Sequence, residues 1–169
     1  MIRICFHGAE STGKSVLAAR LEREMGIAWV PEYGREWAER HGADFPMDVL
    51  LEIARGQDAA MRRAAKRNPP LLILDTDPLM TAAWALMLHG AVPEELLGYE
   101  KAELYLLFDA DVPWVADGTR YFGTPAARTR FADAAEQMLV RAAVPYQRIS
   151  GDWEARAAQV KAIITAALP

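Results

Sequence analysis

A glycine-rich stretch near the start of the chain combines residue types that can hold phosphate groups. Residues 8–15 read Gly-Ala-Glu-Ser-Thr-Gly-Lys-Ser and fit the pattern G-x-x-x-x-G-K-S/T. Because Gly8 and Gly13 have no Cβ, successive backbone N–H groups can turn toward phosphate oxygens at a helix N-terminus. Lys14 is expected to reach the β- and γ-phosphates of a nucleoside triphosphate, and the Ser15 hydroxyl to bind Mg²⁺. The predicted ATP-binding residues are Gly8, Ala9, Glu10, Ser11, Thr12, Gly13, Lys14 and Ser15.

A carboxylate and a guanidinium follow the second apolar segment, Ile27–Val30. Pro31 cannot donate to a strand ladder, so the strand should end there and leave Glu32 at the edge of a sheet. Glu32 can then accept the proton of an attacking hydroxyl, and Arg35 can hold an anionic or polyol substrate. The alternative is a surface ion pair between the two side chains, which would contribute little.

Two aspartates follow the third apolar segment, Leu71–Leu74. In a phosphate-loop fold, an aspartate at this position holds Mg²⁺ directly or through water, so we predict that role for Asp75. Asp77 precedes Pro78, and its carboxylate can either accept hydrogen bonds from a substrate or cap the next helix.

A long irregular segment, Asp109–Gly123, follows the fourth apolar run; it is interrupted by glycines and is too long for a tight turn. It predicts a mobile lid over about residues 111–130, which closes arginines on the transferring phosphoryl group. An ordinary solvated loop is the alternative. Trp114 is assigned either to the substrate site or to the core. The predicted catalytic residues are Lys14, Glu32, Asp75, Arg120 and Arg128, and the predicted metal ligands are Ser15 and Asp75.

Strands and helices that alternate along the chain must position these side chains. The apolar runs predicted as strands are Ile2–Phe6, Ile27–Val30, Leu71–Leu74, Leu104–Phe108 and Tyr146–Ile149. Helical spacing predicts helices over Ser15–Met25, Pro46–Lys66, Pro78–His89, Pro93–Ala102, Pro125–Ala142 and Asp152–Leu168. This alternation predicts an α/β fold: a single-domain P-loop NTPase fold whose five-stranded parallel sheet carries helices on both faces. Ligands of such sheets bind at the carboxyl ends of the strands.

Length and composition limit the class of protein. The 169 residues suit one domain, predicted as residues 1–169. The net charge of −4 argues against a nucleic-acid or anionic-membrane surface, and no apolar run reaches the ~18–20 residues of a membrane span. The single cysteine, Cys5, cannot form an internal disulfide, and no signal-peptide pattern follows Met1, so we expect a cytoplasmic protein. The sequence leaves open whether the chain forms a homo-oligomer.

Six motifs occur in an order and spacing that are shared with a known family. They are residues 8–15, Pro31–Trp37, Ile53–Gln57, Leu74–Asp77, Pro113–Arg120 and Gly151–Trp153. Over nearly the whole chain they resemble the ribosylnicotinamide kinase domain of NadR-type NAD-salvage proteins, within the phosphate-loop kinase superfamily. The most specific are Glu-Tyr-Gly-Arg-Glu and Pro-Trp-Val-Ala-Asp-Gly-x-Arg. The resemblance implies a stand-alone kinase that uses ATP to phosphorylate the 5′-hydroxyl of nicotinamide riboside, giving nicotinamide mononucleotide.

The predicted site for this small, nucleoside-like substrate departs from the family at one position. The predicted substrate-binding residues are Glu32, Tyr33, Arg35, Asp77 and Trp114. Members of the family carry an aromatic residue directly before Glu-Tyr-Gly-Arg, where it can stack on the nicotinamide ring. Here that residue is Pro31, which leaves Tyr33, Trp37 or Trp114 as candidate stacking faces.

Two other functions are compatible with the sequence. One is a kinase for another nucleoside or small metabolite, and the other is a regulatory P-loop ATPase that has no metabolite acceptor. A GTPase switch is disfavoured, because the chain has neither an Asn-Lys-x-Asp motif nor an Asp-x-x-Gly motif after the third predicted strand.

Overall fold

Five parallel strands form the centre of the computed structural model, which describes residues 1–168. The strands are β1 (Ile2–His7), β2 (Ala28–Val30), β3 (Leu71–Asp75), β4 (Leu104–Phe108) and β5 (Tyr146–Ile149). They lie in the order β2-β3-β1-β4-β5. Phe6 of β1 is paired in register with Asp75 of β3, and His7 with Leu107 of β4, so these three strands end at one edge. The predicted five-stranded parallel α/β fold is confirmed; Pro169, part of the predicted domain, lies outside the described residues.

Helices cover both faces of the sheet. They are α1 (Lys14–Met25), α2 (Tyr33–His41), α3 (Met47–Ala65), α4 (Pro78–His89), α5 (Glu94–Gly98), α6 (Pro125–Arg141) and α7 (Trp153–Ala167). Side chains alternate between the faces along β1: Ile4 and Phe6 pack with α1 and α7, whereas Cys5 packs with α3, α4 and α6. Among residues 1–168, no helix has the length and apolar character needed to span a membrane.

Two helices differ from the sequence-based expectation, one in its length and one in its presence. Helix α5 is five residues long, whereas Pro93–Ala102 was expected to be helical; it ends at Gly98, a poor helix former, and Tyr99 is already extended. Helix α2 was not predicted, because Ala38 alone is buried and gives no apolar periodicity.

The segment between β4 and α6, residues 109–124, contains neither helix nor strand. Its first residue is fixed by the hydrogen bond from Asp109 N to Ile149 O (2.9 Å). At its other end, the Thr124 hydroxyl caps α6 by accepting from Ala127 N (3.2 Å), and Pro125 takes the first helical position. Residues 125–130 of the expected lid are therefore helical, and we call residues 109–124 the β4–α6 segment.

Candidate active site

The glycine-rich loop turns tightly from β1 into α1 at the carboxyl edge of the sheet. Gly8 has φ +126°, and a Cβ there would lie 2.5 Å from the carbonyl oxygen of Phe108. Gly13 has φ +86°, and its Cβ would lie 2.5 Å from the Trp153 ring. Both positions therefore need glycine, for backbone conformation and for space. The loop lines one side of a cavity, here called the phosphate cavity, through Gly8, Glu10, Ser11, Thr12, Gly13, Lys14 and Ser15.

Lys14 lies within this loop with its ammonium group directed at backbone oxygens. Its Nζ donates to Gly8 O (2.9 Å), Ala9 O (2.7 Å) and Thr12 Oγ1 (3.2 Å). Burial lowers the pKa of Lys14, and the nearby carboxylates Glu32 and Asp75 oppose that effect. The ammonium is therefore held at the wall of the phosphate cavity by two carbonyl oxygens and a hydroxyl. Phosphate oxygens can replace these neutral acceptors, because a charged acceptor binds an ammonium more strongly.

Two carboxylates face this loop from the neighbouring strands. Asp75 is 1% exposed, and neither of its oxygens has a hydrogen-bond partner among residues 1–168. Glu32 lines the phosphate cavity, and burial together with the charge of Asp75 raises its pKa to about 7. Burial also raises the pKa of Asp75, whose carboxylate stands beside Ser15. A buried carboxylate without a partner next to a hydroxyl is an oxygen donor set of the kind that Mg²⁺ takes, so Ser15 and Asp75 fit the predicted metal role.

A second cavity, here called the acceptor cavity, opens beside the phosphate cavity between α2, α3 and α4. Glu32 and Arg35 line both cavities, so they lie at the boundary between them. The acceptor cavity has two aromatic walls, Phe45 and Trp84, whose ring centroids are 5.8 Å apart in an edge-on arrangement. Tyr121 of the β4–α6 segment adds a third ring to this cluster, with its centroid 5.7 Å from Phe45 and 5.8 Å from Trp84.

Sequence reasoning did not identify Phe45 and Trp84. Trp84 lies in a helix that is apolar on all sides, and Phe45 lies in a short connection, so neither residue stands out from ordinary core residues. Thr76 was also missed. It lines both cavities with a left-handed backbone, φ 69°, and Gln57 fixes it through a hydrogen bond to its carbonyl oxygen (3.3 Å).

The β4–α6 segment is attached to the glycine-rich loop by hydrogen bonds. The Glu10 carboxylate accepts from the backbone N–H groups of Tyr121 (2.7 Å) and Phe122 (2.6 Å). Ser11 Oγ accepts from Val115 N (2.8 Å) and from Arg120 Nη1 (3.2 Å). Arg120 lines both the phosphate cavity and the acceptor cavity, which is where the sequence placed a catalytic arginine.

Four other predicted side chains lie outside both cavities. Arg128 donates to Val112 O (2.8 Å) and so ties α6 to the β4–α6 segment. The Tyr33 ring packs on Gly56, where a Cβ would lie 2.3 Å from it, and Trp114 packs on Gly123. Trp37, a candidate stacking face, packs instead against His41 and Phe45.

The Asp77 carboxylate is buried and caps helix α4. Asp77 is 1% exposed, and its Oδ1 accepts from Leu79 N (3.0 Å) as the N-cap of α4. Its Oδ2 accepts from the Tyr105 hydroxyl (2.5 Å). Cys5 and His7 are buried beside the same carboxylate: the Cys5 sulfur, one His7 ring nitrogen and one Asp77 oxygen lie within 4.8 Å of one another. Of the two roles expected for Asp77, the structure shows the helix cap, and Asp77 lines neither the phosphate cavity nor the acceptor cavity; its contact with a substrate stays a prediction.

A third cavity, here called the base groove, runs along the outer side of the glycine-rich loop. It has a volume of about 430 Å³ and is lined by Val16, Arg20, Val115 and Trp153, among others. One part of the Trp153 ring covers Gly13, yet half of the side chain remains exposed. An exposed aromatic ring beside a triphosphate loop offers a stacking face to a nucleobase.

A buried arginine fixes the floor of the base groove. Arg156 is 1% exposed and lines the groove from α7. It donates to Gly151 O (2.7 Å), Thr12 O (3.2 Å) and Asp109 O (2.9 Å), and it also bonds the Asp111 carboxylate. It thereby joins the glycine-rich loop to the turn after β5 and to the start of the β4–α6 segment.

Comparison with known proteins places this site in a family. The model of the AAA domain family matches residues 3–156, which is most of the chain. The chain belongs to this family. The trifunctional NAD biosynthesis/regulator protein NadR of Escherichia coli K12 is 28% identical over 160 residues, covering 88% of this chain and 38% of that protein. NadR of Salmonella typhimurium LT2 is 29% identical over 139 residues, covering 78% of this chain and 34% of that protein.

Solved structures share the fold over almost the whole chain. A NadR structure in complex with NR matches with a TM-score of 0.74 and 22% identity, covering 97% of this chain and 49% of that one. The deoxyadenosine kinase of M. mycoides matches with a TM-score of 0.67 and 11% identity, covering 98% and 100% of the two chains. The predicted P-loop NTPase fold and the predicted resemblance to NadR are confirmed. The chain spans less than half the length of the NadR proteins that it matches.

Proposed function

We propose that this chain is an ATP-dependent phosphotransferase that converts nicotinamide riboside to nicotinamide mononucleotide. The names of its relatives support NAD biosynthesis as the setting, and one structural neighbour was solved with NR bound. The observation that carries the proposal is the position of Glu32. Its carboxylate lies at the boundary between the phosphate cavity and the acceptor cavity, with a pKa of about 7.

The donor ATP occupies the phosphate cavity in this proposal. Backbone N–H groups of residues 8–13 bind the β- and γ-phosphates, and Lys14 exchanges its carbonyl partners for phosphate oxygens. Ser15 and Asp75 would hold Mg²⁺, which offsets charge on the phosphates when it is bound. The purine ring lies in the base groove, where Trp153 presents an exposed face.

Glu32 acts as the general base in this proposal. A carboxylate with a pKa of about 7 is half ionised at neutral pH and takes a proton more readily than an ordinary glutamate does. The acceptor 5′-hydroxyl transfers its proton to Glu32 as its oxygen bonds to the γ-phosphorus, and the bond to ADP breaks in line. Arg35 and Arg120, which line both cavities, stabilise the charge on the transferring phosphoryl group.

The acceptor cavity suits a flat cationic ring. Phe45 and Trp84 supply aromatic walls, and the face of an aromatic ring attracts positive charge. These walls come from the α2–α3 connection and from α4, so the stacking function of the family's aromatic residue does not depend on position 31. The ribose of nicotinamide riboside is then directed toward Glu32 and Arg35 at the boundary with the phosphate cavity.

A coupled assay of ADP release tests the choice of acceptor. Wild-type protein is supplied with Mg-ATP and, in separate reactions, with nicotinamide riboside, uridine, cytidine, deoxyadenosine or no acceptor. We expect kcat/KM for nicotinamide riboside to be at least tenfold above that for uridine or cytidine, a difference of about 1.4 kcal/mol. Lys14→Ala serves as the inactive control, because it removes a cation from the phosphates.

The alternatives predict other outcomes of the same assay. Comparable kcat/KM values for all nucleosides would indicate a kinase of broad or different nucleoside specificity. ADP release that no acceptor accelerates would indicate a regulatory ATPase, and in either case the proposed reaction would be wrong.

A further inference from the structure

Asp117 of the β4–α6 segment lines none of the three cavities, yet it joins two arginines that line the phosphate cavity and the acceptor cavity. Its Oδ2 accepts a hydrogen bond from Arg35 Nη1 (3.1 Å). The same oxygen forms an ion pair with Arg120 Nε at 3.0 Å. Arg35 belongs to α2 and Arg120 to the β4–α6 segment, so a single carboxylate oxygen connects these two parts of the site.

The local sequence Asp117-Gly118-Thr119-Arg120 explains why the carboxylate points this way. Gly118 has φ +84°, a left-handed conformation that turns the chain back on Asp117. Thr119 then donates to Asp117 Oδ1 through its backbone N–H (3.1 Å) and through its hydroxyl (2.9 Å). With Oδ1 occupied by this turn, Oδ2 is left to the two guanidinium groups.

The negative charge of Asp117 offsets the repulsion between the guanidinium groups of Arg35 and Arg120, because its Oδ2 contacts both of them. Arg35 and Arg120 line the same phosphate and acceptor cavities, and two guanidinium groups on one side of a cavity repel each other. Burial acts to raise the pKa of Asp117. The hydrogen bonds from Thr119 and the charges of both arginines outweigh burial, so the pKa lies below its usual value and the carboxylate is charged at neutral pH.

The hydrogen bonds that residues 115–122 of the β4–α6 segment make to Glu10 and Ser11 lead to a different part of the site, whereas on the acceptor side Tyr121 makes ring contacts with Phe45 and Trp84. Glu10 and Ser11 attach the segment to the glycine-rich loop, on the donor side. The bond between Asp117 and Arg35 attaches it to α2, which lines part of the acceptor cavity through Gly34, Arg35 and Ala38. Loss of Asp117 would therefore leave the segment attached to the ATP loop while freeing Arg35 and Arg120 from each other.

We propose that Asp117 is a positioning residue: it aligns Arg35 with Arg120, so that docking of the β4–α6 segment and formation of the acceptor site occur together. This inference rests on the proposed kinase function. ATP binding by the backbone N–H groups and Lys14 does not require Asp117, whereas transfer to an acceptor does. Without Asp117, phosphoryl transfer to the acceptor slows, and a larger share of the ADP released comes from hydrolysis by water.

The test compares Asp117→Asn and Asp117→Glu with the wild type. Asp58→Asn is the matched control, because it breaks an ion pair with Arg62 on α3, away from the cavities. For Asp117→Asn we expect acceptor-dependent kcat to fall about tenfold to hundredfold. The Kd of a non-hydrolysable ATP analogue should stay within about twofold of the wild-type value. Asp117→Glu keeps the charge and should recover part of kcat, whereas Asp58→Asn should leave every quantity unchanged.

Hydrogen exchange gives a readout that does not depend on turnover. With the ATP analogue bound, peptides covering residues 109–124 should exchange faster in Asp117→Asn than in the wild type, while the glycine-rich loop keeps its protection. If Asp117→Asn changed neither kcat nor hydrogen exchange, the proposal would be overturned. Equal losses of kcat, analogue affinity and Tm in this variant would also overturn it, because they would show a merely structural role. If the wild type shows no acceptor-dependent ADP release, the proposed function fails. Hydrogen exchange then tests the alignment of the two arginines separately, and unchanged exchange in Asp117→Asn would overturn it.

Discussion

Replacing Glu32 by glutamine should stabilise the protein at high pH while it removes the proposed base. Burial and the charge of Asp75 raise the pKa of Glu32 from 4.5 to about 7. Because the folded protein binds this proton more tightly than the unfolded chain does, the free energy of unfolding falls as the pH rises from about 4.5 to about 7. The difference between the two pKa values corresponds to about 3 kcal/mol. Glu32 lines water-accessible cavities, so screening should reduce the gain in Glu32→Gln to about 1–2 kcal/mol at pH 8.

Thermal unfolding at two pH values measures this effect. At pH 8, Glu32→Gln should unfold about 2–8 °C above the wild type, given about 2–4 °C per kcal/mol for a chain of this size. At pH 5 the wild-type carboxyl is protonated when folded, and most of the difference should disappear. Glu36→Gln is the matched control: Glu36 is exposed on α2, the helix that follows Glu32, and pairs with Arg40, so the change should shift Tm little at either pH.

The activity of the same variant completes the test. Acceptor-dependent kcat/KM of the wild type should rise with pH through about 7, because Glu32 must lose its proton to act as a base. Glu32→Gln should be slower by about 10²–10⁴-fold and should lack that rise. A variant that is no more stable than the wild type at pH 8, or that keeps full activity, would refute the account of a buried carboxylate poised as a base.

Four further substitutions separate the roles of the remaining predicted or proposed residues. Asp75→Asn should raise the Mg²⁺ concentration needed for half-maximal ADP release, and an unchanged requirement would remove Asp75 from the metal site. Arg120→Ala should lower kcat by about 10³-fold or more while calorimetry shows little loss of ATP affinity, and Arg128→Ala, whose side chain lies outside the cavities, should lower kcat far less. Trp153→Ala should raise the KM for ATP about tenfold at nearly constant kcat, as expected when a stacking face for the base is lost; an unchanged KM would place the base elsewhere.

Much of the fold could be predicted because its signals are local. Strands β1 to β4 lie in short, mainly apolar runs, and the alternation of strands with helices is typical of a parallel sheet. Helix α4 begins at Asp77 and Pro78 and ends before Gly90, signals that the sequence displays directly. Helix α2 lacked such a signal, because it rests on one buried alanine and on contacts made by distant parts of the chain.

The residues of the candidate site also differ in whether the local sequence announces them. The glycine-rich loop follows β1, Asp75 ends β3 and Glu32 lies two residues after β2, so strand order alone brings them to one edge. Phe45 and Trp84 meet only because α3 and α4 pack together, and nothing in their immediate sequence reports that contact. The same sequence signal also fitted two different roles for Asp77, and the contacts with Leu79 N and the Tyr105 hydroxyl, which the structure supplies, show the capping role.

The most direct test of the central claim is the identity of the phosphorylated product. The purified protein is incubated with Mg-ATP and nicotinamide riboside, and nicotinamide mononucleotide and ADP are quantified by liquid chromatography and mass spectrometry. We predict that the two products accumulate in equal amounts and that Lys14→Ala forms neither. Release of ADP with no nicotinamide mononucleotide, at the rate seen without an acceptor, would contradict the claim that Glu32 activates the 5′-hydroxyl of this nucleoside.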